Sequence, residues 1–273
     1  MKFAHLSDTH ILKDCTGGQL GGMFAKLSDP KEKTAAALAD ARDAGAQFAI
    51  ITGDLVHEGT EEDYRAFRGV VDENRGEMPV FVALGNHDRK EAFYRGYLGR
   101  EGQESYCAVH SLNGLHIIVA DSAVFGRESG CFTPGQAEFL EEALRERSEQ
   151  GSILLFHHPI AWPSRELAMP VDQRLLDAIA ESDLRGIFCG HTHENRVCQA
   201  AGVPQYTAGS TAFGIRSRGG AMSFVDTAEY TMYTLEEGGS VSVHCEAVWP
   251  TVEKKIVLDP QMVKAMMEAM RAE

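Results

Sequence analysis

The chain has 273 residues, 44% of them hydrophobic, with 40 acidic against 26 basic side chains and a formal net charge of −14. That length can bury one substantial core, and a surface so acidic argues against a nucleic-acid polymer as partner, since such binding rests on Lys and Arg neutralising phosphates. No apolar run reaches the roughly 18 residues that span a bilayer, no leader peptide is visible, and the six cysteines (Cys15, Cys107, Cys131, Cys189, Cys198, Cys245) lack CxxC spacing, so the expectation is a cytoplasmic protein with reduced thiols and no membrane partner.

In chain order, the apolar run 2–7 predicts a first buried strand. The glycine-rich stretch 16–22 lacks the Gly-Lys-Ser/Thr ending of a phosphate-cradling loop and is read as a surface loop, with the mouth of a site as the lesser alternative. Asp29-Pro30-Lys31-Glu32 predicts a helix start, running to about Gly45. Strand 47–52 follows, then a helix beginning after Thr60 with Tyr64, Phe67 and Val71 on one face. Strands 79–84 and 115–120 precede a helix opened by Thr133-Pro134, and strands 152–157 and 185–189 bracket a helix from Gln173 to Ser182. The segment 201–250, with its apolar alternation, reads as a second sheet. Asp259-Pro260 then caps a tail helix with Met262, Met266, Met267 and Met270 at helical spacing, packed on its own domain or on a second copy of the chain. Strand–helix alternation of this kind gives the class α/β.

Chemistry gathers where those strands end. Asp8-Thr9-His10 follows the first strand and Gly53-Asp54 the second; Gly85-Asn86-His87-Asp88 follows the third. His157-His158-Pro159 and Gly190-His191-Thr192-His193 end the last two. Strand ends of an open α/β sheet converge on one crevice, so distant loops deliver carboxylate, amide and imidazole to one place. Crowding such groups costs solvation unless a cation is present. Nitrogen and oxygen donors without thiolate suit Mn, Fe, Zn or Co, and seven donors match two ions sharing a carboxylate, roughly 3.5–4 Å apart.

The ordered set DxH, GD, GNHD, HHP, GHTH resembles the calcineurin-like metallophosphoesterase superfamily over about residues 1–195, and within it the class III cyclic-nucleotide phosphodiesterase and glycerophosphodiesterase group. The resemblance implies a four-layer α/β/β/α sandwich of two mixed sheets flanked by helices, with residues 1–250 as the catalytic domain and 251–273 as a tail. It also implies two metal ions: Asp8, His10 and His193 at one, Asn86, His157 and His191 at the other, and Asp54 bridging both. His87 would face the substrate phosphate and its leaving group while the ions activate a water. The implied substrate is a small phosphodiester, 3′,5′-cyclic nucleotides first and glycerophosphodiesters second. A phosphomonoester is the rival within the class, and a non-catalytic scaffold the rival outside it. A homodimer or higher homo-oligomer is left open.

Around this set, Asp88 is expected to orient a histidine and Asp121 to be structural. His57 is either a substrate-side group or a solvated loop residue; it stands where purple acid phosphatases carry a tyrosine, which argues against those enzymes. Arg216 and Arg218 are expected to be exposed loop residues, with a reach to substrate phosphate as the lesser alternative.

Overall fold

Period-two alternation in the first strand sets the layering. In β1 (Lys2–Leu6), Ala4 and Leu6 join one apolar cluster while Phe3 joins another on the opposite face. The structure, a computed structural model, describes residues 1–14, 26–124, 126–218, 221–237 and 239–249, with Gln261. The glycine-rich stretch 16–22 and the methionines of the tail lie outside the described residues.

Five helices are described: α1 (Pro30–Asp43), α2 (Glu61–Asn74), α3 (Lys90–Gly96), α4 (Pro134–Arg145) and α5 (Gln173–Glu181). Their starts follow local chemistry. The Asp29 side chain accepts from the Lys31 amide and Pro30 takes the first helical position. Thr133 and Gln136 close a reciprocal cap on α4. The short helix α3 carries no such signal and is absent from the sequence reading.

The remaining strands are β2 (Phe48–Thr52), β3 (Val80–Ala83), β4 (Ala108–Leu112), β5 (Leu115–Val119), β6 (Ser152–Leu155), β7 (Leu184–Cys189), β8 (Arg196–Ala200), β9 (Val203–Thr207), β10 (Gly214–Arg218), β11 (Ala221–Val225), β12 (Ala228–Leu235) and β13 (Val241–Trp249). One mixed sheet runs β13-β12-β1-β2-β3, and a second runs β4-β5-β6-β7-β9-β8. The strands β10 and β11 form a separate two-stranded ribbon.

Three apolar layers hold these parts together. Leu38, Tyr64, Phe67 and Phe93 from α1–α3 pack on Leu6 and Ile51 of the first sheet. Phe3, Phe48, Ile117, Ile153, Phe188 and Tyr233 fill the space between the sheets. Leu140, Leu144, Leu175 and Ile179 from α4 and α5 cover the second sheet. The expected α/β/β/α sandwich is the observed one. The segment 201–250 departs from expectation: apart from the small β10–β11 ribbon it forms no sheet of its own, because β9 pairs in parallel with β7 while β12 pairs antiparallel with β1. Apolar alternation reports a half-buried strand and says nothing about which sheet receives it.

Candidate metal centre

The carboxyl ends of β1, β2 and β3 meet those of β6 and β7 at one edge of the sandwich. Beyond the strands the first two loops stay zipped together, with the amides of Asp8, His10 and Ile11 donating to the carbonyls of Gly53, Asp54 and Leu55 at 2.9–3.0 Å. The turns are sharp. Asp8, His10, Asp54, His191 and His193 all take positive φ, between 42° and 72°. Left-handed backbone at five non-glycine residues of one site costs free energy each time and persists because the surroundings over-determine it. Two glycines permit the approach. A Cβ on Gly190 would strike the Ser7 hydroxyl, and one on Gly85 would strike the Asp54 carboxylate.

All seven donor residues predicted from sequence come together. Asp8 Oδ1 lies 3.3 Å from His193 Nε2, which lies 3.4 Å from His10 Nε2. Asn86 Oδ1 lies 3.1 Å from both His157 Nε2 and His191 Nδ1. Between the two sets stands Asp54, its Oδ2 3.3 Å from His157 Nε2 and 3.8 Å from His10 Nε2. Its Oδ1 accepts the backbone N–H of His87 at 2.9 Å. Asp8, Asp54 and His157 are all buried.

These contacts fit a pair of cations. His157 Nδ1–H donates to the Thr52 carbonyl at 2.7 Å, and His193 Nδ1–H donates to the Phe213 carbonyl at 3.0 Å. Each neutral ring therefore aims a lone pair from Nε2 into the cluster. There the His157 lone pair faces acceptor oxygens of Asn86 and Asp54, an arrangement that repels unless a proton or a metal ion lies between. The titration behaviour carries the same message. Burial disfavours the charged His157 ring, yet the Asp54 charge and hydrogen bond outweigh it and push the pKa up to about 9. Burial also disfavours the Asp54 carboxylate, but His157 and His10 hold it well below the usual carboxylate range. His191 falls to about 4, first through burial and then through the His157 charge. Positive charge is thus favoured on His157 beside Asp54 and disfavoured on the neighbouring rings of His191 and His10.

Several neighbours complete the edge. A cleft of about 230 Å³ opens over the cluster, lined by His57, His87, Asn86, Glu128, Phe213, Ile215 and Phe224 among others. His57 thus faces the cleft, its Nδ1 3.3 Å from His10 Nδ1 and its ring 4.3 Å from that of His87. Glu58 Oε1 lies 3.8 Å from His87 Nδ1, and Glu128 accepts from the Asn86 amide nitrogen at 3.3 Å. That bond turns the Asn86 oxygen toward the histidines. Larger depressions, about 870 Å³ beside Arg65 and Arg95 and about 620 Å³ beside Lys90 and Gln136, include none of these histidines.

Sequence reasoning missed Glu58, Glu128, Phe213, Ile215 and Phe224, whose motifs are undistinguished; only their neighbours in space mark them. Asp88 differs from expectation as well. It orients no histidine, and accepts instead from the amides of Gly85, Leu55 and Val56 and from the Tyr64 hydroxyl, at 2.8–3.3 Å. Burial, and then the Asp54 charge, push its pKa up to about 7. Its work is to lock the loops after β2 and β3 together. Asp121 is buried in an ion pair with Lys90 at 2.8 Å. Arg216 is exposed, on the strand face opposite Ile215, and the side chain of Arg218 lies outside what is described.

Comparison with known proteins agrees with this arrangement. The chain is 31% identical over 216 residues to a protein of Rhodococcus erythropolis named as a probable cyclic nucleotide phosphodiesterase, covering 77% of this chain and 70% of that one. It is 28% identical over 262 residues to a cAMP/cGMP dual specificity phosphodiesterase of Mycobacterium tuberculosis, with coverage of 87% and 80%. It is 26% identical over 219 residues to a glycerophosphodiester phosphodiesterase of Enterobacter lignolyticus, covering 73% of each. Among solved structures, a dimetal phosphatase of Danio rerio superposes with a TM-score of 0.61 at 13% identity, over 87% of this chain and 93% of that one, a likeness of fold. The family model for calcineurin-like phosphoesterases matches residues 1–195. With that match over most of the chain, and with the strand-end donors converging as such a hydrolase requires, the chain belongs to the calcineurin-like phosphoesterase family.

Proposed function

We propose that this protein is a dinuclear phosphodiesterase acting on small soluble diesters, with 3′,5′-cyclic nucleotides as the leading class. The observation that carries the reading is Asp54, a buried carboxylate within 4 Å of imidazoles from both donor sets. Asp8, His10 and His193 would hold one ion, and Asn86, His157 and His191 the other, with Asp54 shared. When bound, such a pair sharpens a water into a nucleophile at neutral pH and neutralises phosphate charge. Manganese, iron, zinc and cobalt all suit the donors.

The protein's own part is positional. Asp54 sets the spacing of the donor sets and, through the His87 amide, fixes the turn that presents the His87 ring to the cleft. From there a ring nitrogen of His87 can hand a proton to the departing alkoxide. The rim supports a diester over a monoester. Glu128 lines the cleft and Glu58 stands behind His87, while no Lys or Arg lines the cleft among the described residues. A dianionic monoester meets more repulsion there than a singly charged diester. Glycerophosphodiesters are the second class, since they share that charge.

The test is turnover by protein reconstituted with each metal. Bis(p-nitrophenyl) phosphate should be cleaved faster than p-nitrophenyl phosphate, and 3′,5′-cyclic AMP should be hydrolysed. Monoester turnover exceeding diester turnover with every metal would overturn the diesterase reading.

A further inference from the structure

The ribbon of β10 and β11 belongs to neither large sheet. Its register places Ile215 directly opposite Phe224, so the two side chains share one face. Both line the cleft, whereas the neighbouring pair Arg216 and Ser223 alternates to the far face. Phe224 is 45% exposed, an unusual position for a large aromatic ring. Beneath it Phe213 stands edge-on at 5.5 Å, and the Phe213 ring in turn lies 4.7 Å from that of His193. An apolar ledge therefore runs outward from the donor cluster to solvent. The cleft is also lined by His57 and His87, whose rings lie 4.3 Å apart, tilted by 31°.

The ribbon is tethered at its base. Buried Lys33 of α1 donates to the carbonyls of Ala212 and Thr227 and pairs with Asp226 at 2.6 Å, residues that enter and leave the ribbon. An exposed aromatic face on a tethered ribbon, beside the candidate phosphate site and with no Lys or Arg lining the cleft among the described residues, suits a flat, uncharged group. A glycerol or ethanolamine ester has no such face. A nucleobase does, and base–aromatic stacking is tolerant of base identity.

We propose that Phe224, with Ile215 beside it, is the platform on which the nucleobase of the substrate stacks, which makes the ribbon the element that favours nucleotide diesters over glycerophosphodiesters. This rests on the phosphodiesterase reading above and names the class within it.

The experiment compares wild type, Phe224→Ala and Phe224→Tyr as metal-reconstituted enzymes on 3′,5′-cyclic AMP and on glycerophosphoethanolamine. Phe224→Ala should raise KM for cyclic AMP about tenfold, toward the lower end for a stacked base because the ring is half exposed, with kcat within about twofold. Glycerophosphoethanolamine kinetics should stay within about twofold, and Phe224→Tyr should restore the cyclic AMP value. Equal losses on both substrates, or no loss on either, would overturn the platform. A second readout needs no metal: in Phe224→Trp, adenosine should quench the new tryptophan fluorescence saturably, measured against the Phe224→Ala background. Absence of quenching overturns the platform regardless of turnover. Quenching in a protein that hydrolyses no diester supports the platform and refutes the phosphodiesterase reading instead.

Discussion

Five residues of the candidate metal centre are held in conformations that most side chains avoid. Asp8, His10, Asp54, His191 and His193 share left-handed backbone, and glycines at 85 and 190 make room for the carboxylates beside them. Such strain makes the donors interdependent. Asp54→Ala should lose both metals, as read by metal analysis after reconstitution, together with all measurable turnover; near-normal turnover would break its shared role. His87→Ala should keep both metals and lower kcat roughly 10²–10⁴-fold, and loss of metal there would make it a ligand. Glu128→Gln keeps an acceptor for the Asn86 amide but removes a charge. It should raise kcat/KM for p-nitrophenyl phosphate relative to bis(p-nitrophenyl) phosphate by about threefold to tenfold, the scale of one partly screened charge at the cleft rim; an unchanged ratio removes the rim from the account of specificity. These residues divide by legibility. The donors sit in short motifs directly after apolar runs, several with glycine at the point of close approach, so their chemistry shows in the chain itself. Glu128 and Phe224 have no such neighbours and acquire meaning only through Asn86 and Ile215.

Among the elements, the ribbon depends on a lysine that local pattern does not explain. Lys33 sits on α1 with no solvent exposure, a rare state for its type, and its ammonium is satisfied by two carbonyls and Asp226. Lys33→Met should destabilise the fold by about 2 kcal/mol in urea unfolding, because it strands buried carbonyls, and should weaken cyclic AMP binding along with it. Burial pushes the Asp226 carboxyl up, but hydrogen bonds from Lys33 and Ser28 and the Lys33 charge bring it down to about 2. Its folded pKa is depressed, so its contribution is present above the ordinary carboxylate value of about 3.9 and is lost as pH falls from there to about 2. Wild type should therefore lose stability across that window, and Asp226→Asn should lose less. A steeper acid loss in Asp226→Asn than in wild type would contradict this. Helix starts at Pro30, Glu61 and Pro134 follow caps read from the chain, while the cap of α5, Asp172, shows only in the structure, where its side chain accepts from the Leu175 amide. The helix α3 and the edge strand β8 escaped because they are short and their burial patterns are mixed, so packing rather than periodicity defines them.

For the whole molecule, the candidate metal centre would double, when loaded, as a clamp between the two sheets. Asp8, Asp54 and Asn86 follow strands of the first sheet and His157, His191 and His193 follow strands of the second, so ions held among them would tie the layers together. Reconstitution should raise Tm, and exhaustive chelation should lower it by at least about 5 °C, given that ligand at 100 times its dissociation constant adds about 2.7 kcal/mol. An unchanged Tm in scanning calorimetry would mean that no ion bridges the sheets. The sequence alone determined the α/β class and the chemistry at the strand ends, because burial on both faces leaves continuous apolar runs and because donor residues follow them at once. Only the tertiary structure decided which sheet received the strands after residue 200, that Asp88 locks loops instead of orienting a histidine, and that Glu128 and the β10–β11 ribbon wall the cleft. Pairing partners and the neighbours of a side chain depend on contacts between residues far apart in the chain, and local pattern carries no record of them.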